Sequence, residues 1–236
     1  MHSSPEGFLS AEELVHHRMI SYHRQRGEAI IGGDSPFRLK PGGRLIVHLI
    51  PAETVRSRKR FTASDLKVHG KDLRPLGEQS GRYRFNEDGY LAYDGEGEVG
   101  AYSQLHRDGR LEAVTTDATY EQHGTRALRD GFCERAIFEA VGEHLRFCKG
   151  IGIAAPVWSF VALSGCHGVR GRTWHGSGEE AIQRPVVYLP EFEVESLDIE
   201  PVTHLRPLFD CLANAVGLER SLNYDERGSR TERQGW

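Results

Sequence analysis

The chain has 236 residues, 38% hydrophobic and 27% charged, the balance of an ordinary globular protein and not of a disordered one. Its formal net charge of -4 excludes a global field drawing it onto nucleic acid or an acidic membrane, so such binding has to come from a local patch. No apolar run approaches the roughly 18 residues that a membrane-crossing helix needs, and Met1-His2-Ser3-Ser4-Pro5 lacks the basic-then-apolar pattern of a secretory signal.

Residues 1–9 are expected to be flexible. Ser10 followed by Glu13 is a capping-box pair, and Leu14, Val15, Met19, Tyr22, Ala29 and Ile30 then share one broad face, which predicts a helix stopped at Gly32-Gly33. A turn-rich bridge from Asp34 to Gly43 leads into Arg44-Leu-Ile-Val-His-Leu-Ile50, a β-branched run closed by Pro51 that reads as a buried strand. From Ala52 to Gly81 the chain turns polar and basic, with one short helical turn expected at Thr62–Leu66. Strands are expected at Arg82–Phe85 and Gly89–Tyr93, then at Val99–His106 and Arg110–Thr116, the last two joined through Asp108-Gly109, a strong hairpin signal. This block predicts an antiparallel meander with one wet face.

In the second half the period changes. Leu128, Phe132, Ala136, Ile137, Ala140, Val141 and Leu145 recur at helical spacing, predicting a long helix from about Thr125 to Lys149. Strands are expected at Pro156–Ser164, Arg184–Leu189 and Phe192–Val194. A last helix near His204–Val216 carries Leu205, Leu208, Phe209, Leu212 and Val216 on one stripe, with Gly217 as its stop. Runs of strands beside separate helices predict an α+β fold, a central mostly antiparallel sheet flanked by three main helices. One domain is expected over residues 10–222, with a flexible tail over 223–236.

Three stretches carry a resemblance: Ile31-Gly-Gly-Asp-Ser-Pro-Phe-Arg-Leu-Lys-Pro-Gly-Gly-Arg-Leu-Ile-Val-His-Leu-Ile-Pro51, Leu205-Arg-Pro-Leu-Phe-Asp-Cys-Leu-Ala-Asn-Ala-Val-Gly-Leu-Glu-Arg-Ser-Leu-Asn-Tyr-Asp225 and Tyr83-Arg-Phe-Asn-Glu-Asp-Gly89. They resemble the C-terminal region of bacterial proteins with an N-terminal Schlafen-like AlbA-type domain, a DNA- or ATP-binding unit. The resemblance runs from about Leu14 to Tyr224, and the AlbA-type domain itself has no counterpart here. None of that domain's residues therefore transfers. The resemblance implies a partner or sensor piece of a regulatory or defence-type system.

Chemistry-bearing motifs are sparse. Among 27 glycines, Gly95-Glu-Gly-Glu-Val-Gly100 matches a dinucleotide-binding spacing, but it is acidic and lies between strands, so a hairpin loop is expected. His144 and Cys148, spaced i, i+4, can face one ion, and His167 beside Cys166 could complete a zinc site. A buried thiol and a half-exposed imidazole explain them more cheaply, so no metal is expected. His16, His17 and His23 read as a solvated helix flank. Ser164-Gly-Cys-His-Gly-Val-Arg-Gly171 follows an apolar strand without the spacing of a nucleophile elbow, and Glu191, Glu193 and Glu195 alternate on a wet strand face. The four cysteines, Cys133, Cys148, Cys166 and Cys211, are too scattered for a disulfide framework and read as thiols of a reducing cytoplasm.

Two basic segments hold what functional signal remains. Arg56, Arg58, Lys59 and Arg60 precede Phe61 in an expected loop that could track phosphates while the ring stacks on a base. Arg170 and Arg172 stand close to Trp174 in the same way. Both segments suit an acidic protein partner as well. The sequence thus points to a non-catalytic binding or regulatory module of a nucleic-acid-associated bacterial system, with a protein partner and no cofactor. The alternatives are a metal-dependent hydrolase or nuclease using His144, Cys148 and His167, and a structural subunit of a hetero-complex.

Overall fold

Alternation along one strand sets the architecture. In the computed structural model, which describes residues 10–57, 59–122, 124–173, 176–199, 204–225 and 231, β1 runs over Arg44–Pro51. Leu45, Val47 and Leu49 join one core cluster, whereas Ile46 and Ile50 enter clusters on the opposite face. A strand buried on both sides needs a layer above and a layer below, and the rest of the chain supplies them.

The upper layer is α1 (Ala11–Ile31), which begins with the expected capping box: Glu13 N donates to Ser10 Oγ at 3.2 Å and Ser10 N to Glu13 Oε2 at 2.7 Å. Val15, Met19, His23, Gly27 and Ile30 are its buried stripe. After β1 come two short helices, α2 (Ala52–Arg56) and α3 (Ala63–His69). A second capping box, Thr62 with Asp65, starts α3 and carries it past the single turn expected there.

Strands β2 (Arg82–Phe85), β3 (Gly89–Tyr93), β4 (Ala101–His106) and β5 (Leu111–Thr115) form the expected antiparallel meander. The wet face is not there: β5 is buried throughout and β4 in all but its last residue. Leu105 and Leu111 pack into the lower core, and Tyr102 and Val114 pack under Ile30, Phe37 and Leu39. Segment 34–40 thus seals a face that was expected to meet water.

Thr119–Gln122 (β6) and Thr125–Leu128 (β7) form a hairpin, so the long helix α4 starts at Asp130 and not near Thr125. It ends at Ile151, where Gly152 at φ 74° supplies the left-handed cap. Then follow β8 (Val157–Ser164), β9 (Arg170–Thr173), β10 (Gly176–Ala181), β11 (Val186–Tyr188), β12 (Phe192–Val194) and α5 (Arg206–Asn214). The main sheet has eight strands in the order β11–β8–β1–β5–β4–β3–β2, with β12 also on β8. A second sheet, β10–β9–β7–β6, contains the parallel pair β7–β9. The fold is α+β with a mostly antiparallel sheet, and α4 and α5 cover its lower face through Ile137, Val141, Leu208 and Leu212.

Candidate functional site

The basic loop folds back onto the β4–β5 turn. Phe61 N donates to the Arg107 carbonyl at 2.6 Å, and its ring, 6% exposed, lies edge-on to Phe147 at 6.5 Å. Phe61 is therefore a core residue, and the expectation that it stacks on a base is wrong: the loop ends where the chain dives under α4. Lys59 covers that ring from outside at 5.0 Å. Arg60 Nη1 lies 3.2 Å from Asp108 Oδ2, a carboxylate that Arg110 already holds at 2.6 Å, and Arg56 reaches Glu12 at 3.9 Å. Arg56 is thus tied to the exposed Glu12 and Arg60 to the buried Asp108, although the two arginines keep side-chain exposures of 51% and 64%. Arg170 and Arg172 lie on β9, while Arg58 and Trp174 fall outside the described residues.

His144 and Cys148 do share one face of α4, as their spacing predicts. The Gly109 carbonyl, in a turn that needs φ 94°, accepts the Nε2–H of His144 at 2.8 Å. That puts the ring hydrogen on Nε2, and Cys148 Sγ lies almost equidistant from the two ring nitrogens, 3.8 Å from Nδ1 and 3.7 Å from Nε2. Burial lowers the His144 pKa to about 4 and pushes the Cys148 thiol well up. These are neutral partners, the reverse of an activated thiolate–imidazolium pair. Among the described residues, no group of three or more histidine, cysteine, aspartate or glutamate side chains is placed to hold a metal, so His144, Cys148 and the exposed His167 do not form one. Cys166 is buried, donates to the Ser164 carbonyl at 3.3 Å, and has its pKa raised by burial to about 11. In the Gly95–Gly100 loop the acceptor is protein: Asp94 Oδ1 takes the N–H groups of Gly100 and Ala101 at 2.8 and 2.7 Å.

Sequence reasoning missed a polar seam between α1 and the sheet. Glu112, 1% exposed on β5, accepts from Arg26 Nε at 2.6 Å, Arg26 Nη2 at 3.1 Å and Tyr102 OH at 2.8 Å. Burial would raise its pKa, but hydrogen bonds from His48 and Arg26 outweigh that and hold it below the usual carboxylate range. His48 Nε2 faces the same carboxylate at 3.5 Å, and its Nδ1 lies 2.7 Å from Nδ1 of His23. Burial, reinforced by His48 and Arg24, lowers the His23 pKa to about 2. Beside them Tyr22 stacks under the Arg110 guanidinium at 4.1 Å. One signal for this seam was present: period two puts His48 in line with Ile46 and Ile50, and a polar group there needs a buried partner.

A cleft of about 310 Å³ opens between α3 and α4. Leu105 of β4, Leu111 of β5 and Phe147 of α4 line it below, and His69, Lys71 and Asp72 face Glu143 and Arg146 across it. At one end Arg74 clamps Glu143, Nε to Oε1 at 3.0 Å and N to Oε2 at 3.3 Å. Burial raises the Glu143 pKa to about 7, and Arg74 offsets part of that effect. Of the earlier candidates only His144 lines this cleft.

No family model, curated protein or solved structure matches this chain.

Proposed function

We propose that the chain is a non-catalytic binding and regulatory module of a bacterial nucleic-acid-associated system, working in the cytoplasm beside a partner protein that supplies the chemistry. The observation that carries this reading is the pairing of His144 with Cys148: both are buried, both are driven to their neutral forms, and the imidazole Nε2 is spent on the Gly109 carbonyl. A hydrolase built on these residues would need them charged and open to substrate. The resemblance to the C-terminal regions of Schlafen-like AlbA-type proteins supports the bacterial regulatory setting. In this reading residues 10–222 act as one unit.

Its nucleic-acid contact is the exposed part of the basic loop, Arg56, Lys59 and Arg60, backed by Arg110. Because Arg56 is shared with Glu12 and Arg60 and Arg110 with Asp108, the contact is weak and strongly salt-dependent. Anisotropy of a labelled single-stranded DNA tests this: binding at low salt should fade at physiological salt and vanish in R56A/K59A/R60A. Salt-independent binding, or nuclease or nucleotide turnover by the purified chain alone, ends the reading. A structural-subunit reading is favoured by one feature, the sheet edge β2, whose four residues are all exposed, with Tyr83 and Phe85 at 45% and 43%.

A further inference from the structure

We propose that the cleft between α3 and α4 binds a small amphipathic organic anion, with its apolar body against Val68 above Leu105, Leu111 and Phe147 and its anionic group between Lys71 and Arg146. The site is independent of the basic loop and of the proposed nucleic-acid contact.

Three observations carry it. The first is size and position. The cleft of about 310 Å³ lies at the small end of the range for small-molecule sites. Its ends are defined by firm contacts. The Arg74–Glu143 clamp closes one, and at the other His69 Nδ1 comes within 2.8 Å of the point that a Cβ on Gly150 would occupy. Glu143 and Gly150 are seven residues apart on α4, so the slot is about 10 Å long, the length of a flat two-ring molecule. A side chain at position 150 would push His69 away, so the glycine lets the helices meet here.

The second is the lining. Leu105, Leu111 and Phe147 underlie the slot at only 1–2% exposure, so the apolar surface it offers is chiefly Val68 on the rim, 60% exposed, an apolar group in water where α3 could have carried a charge. The third is charge. Lys71, Arg74 and Arg146 stand around the slot against Asp72 and Glu143, with His69 on the rim and Glu139 and His144 nearby. Lys71 and Arg146 are on opposite walls and both are exposed, so one anionic group can meet a cation from each side. Burial of Glu143 weakens its charge near neutral pH, which leaves the cations in excess. Among the described residues, no serine, threonine, cysteine or tyrosine lines the slot, and Glu143, the carboxylate with the raised pKa, is held in the Arg74 clamp, so the slot is assigned as a binding site.

Anilinonaphthalene sulfonate and its uncharged counterpart phenylnaphthylamine separate the apolar part of this idea from the anionic part. The wild-type chain should bind the sulfonate saturably, one to one, and the uncharged probe at least about tenfold more weakly. Lys71→Glu/Arg146→Glu should weaken the sulfonate by about tenfold or more, and Val68→Trp should block both probes. All three positions are exposed, so thermal midpoints should stay near wild type and report intact folding. Equal affinity for the two probes would overturn the anion assignment. Sulfonate binding untouched by both variants would overturn the site.

Discussion

His23 on α1 and His48 on β1 touch through their Nδ1 atoms at 2.7 Å, a contact with room for a single hydrogen. On its other side His48 Nε2 points toward the Glu112 carboxylate at 3.5 Å, the same carboxylate that Arg26 of α1 holds at 2.6 Å. The helix is therefore docked by a buried polar seam that ends in an ion pair, and not by apolar packing alone.

Acid should loosen the fold well before the ordinary carboxylates are protonated. The unfolded chain takes up protons at ordinary histidine values near 6.5, whereas folded His23 resists to about 2 and His144 to about 4. Stability is thus full above pH 6.5 and falls below it, by about 1.4 kcal/mol per pH unit for each histidine. Glu143 has the opposite sign, since its raised value of about 7 makes the folded state bind the extra proton as pH falls toward 4.5. The net loss between pH 7 and pH 5 should be about 2 kcal/mol. Urea unfolding at both values measures it, and an unchanged midpoint would contradict the burial of His23 and His144 in their neutral forms.

Glu112→Gln should cost about 3 kcal/mol or more, because it leaves the Arg26 guanidinium against the sheet with only the exposed Asp34, at 3.4 Å, as counter-charge. Replacing both partners with methionine should recover more than half of that loss. A double-mutant cycle by urea denaturation reads the coupling directly, and additive single effects would show that the pair is not a unit.

Gly109→Ala should destabilise by at least about 2 kcal/mol, since φ 94° strains any side chain and the new methyl would strike Ile153. Arg60→Ala, which removes an exposed arginine while the buried Asp108 keeps its closer contact with Arg110, should change stability by less than about 0.5 kcal/mol. Thermal melts of the two variants side by side test the contrast.

Thiol labelling should be selective. Cys133, Cys148 and Cys166 are buried, and burial pushes each thiol pKa up, while Cys211 on α5 is half-buried. Iodoacetamide on the native chain should modify Cys211 first, and all four thiols only in urea, as counted by mass spectrometry. Early labelling of Cys148 would undo the neutral pairing with His144.

Local signals in the sequence were read well where chemistry is local. The capping box at Ser10 and Glu13 gave the start of α1, the Asp108-Gly109 turn gave the β4–β5 hairpin, and Arg82–Phe85 and Gly89–Tyr93 are strands within the expected limits. Failures came where tertiary partners decide. Ala127 and Leu128 extend the helical spacing of α4 backward, yet pairing with β6 makes them strand. Arg170-Gly-Arg-Thr173 has little strand propensity and is strand because β10 and β7 flank it. The cleft escaped for the same reason: Glu143 and Lys71 mean little until α3 lies beside α4. Phe61 looked like a loop aromatic because nothing local announces that Phe147 waits beneath it.

The placing of β8 has a kinetic consequence. It pairs with the whole of β1, Arg44 against Ser164 through Pro51 against Val157, and its other edge is shared by β11 and β12. During synthesis β1 therefore emerges more than a hundred residues before its long partner, with seven of its eight residues destined for burial. Until then Leu45–Ile50 is an apolar edge open to any passing strand. Chain closure at such separation is slow. A nascent chain halted before Val157 should be insoluble and held by chaperones, and co-expressing the missing part should rescue it.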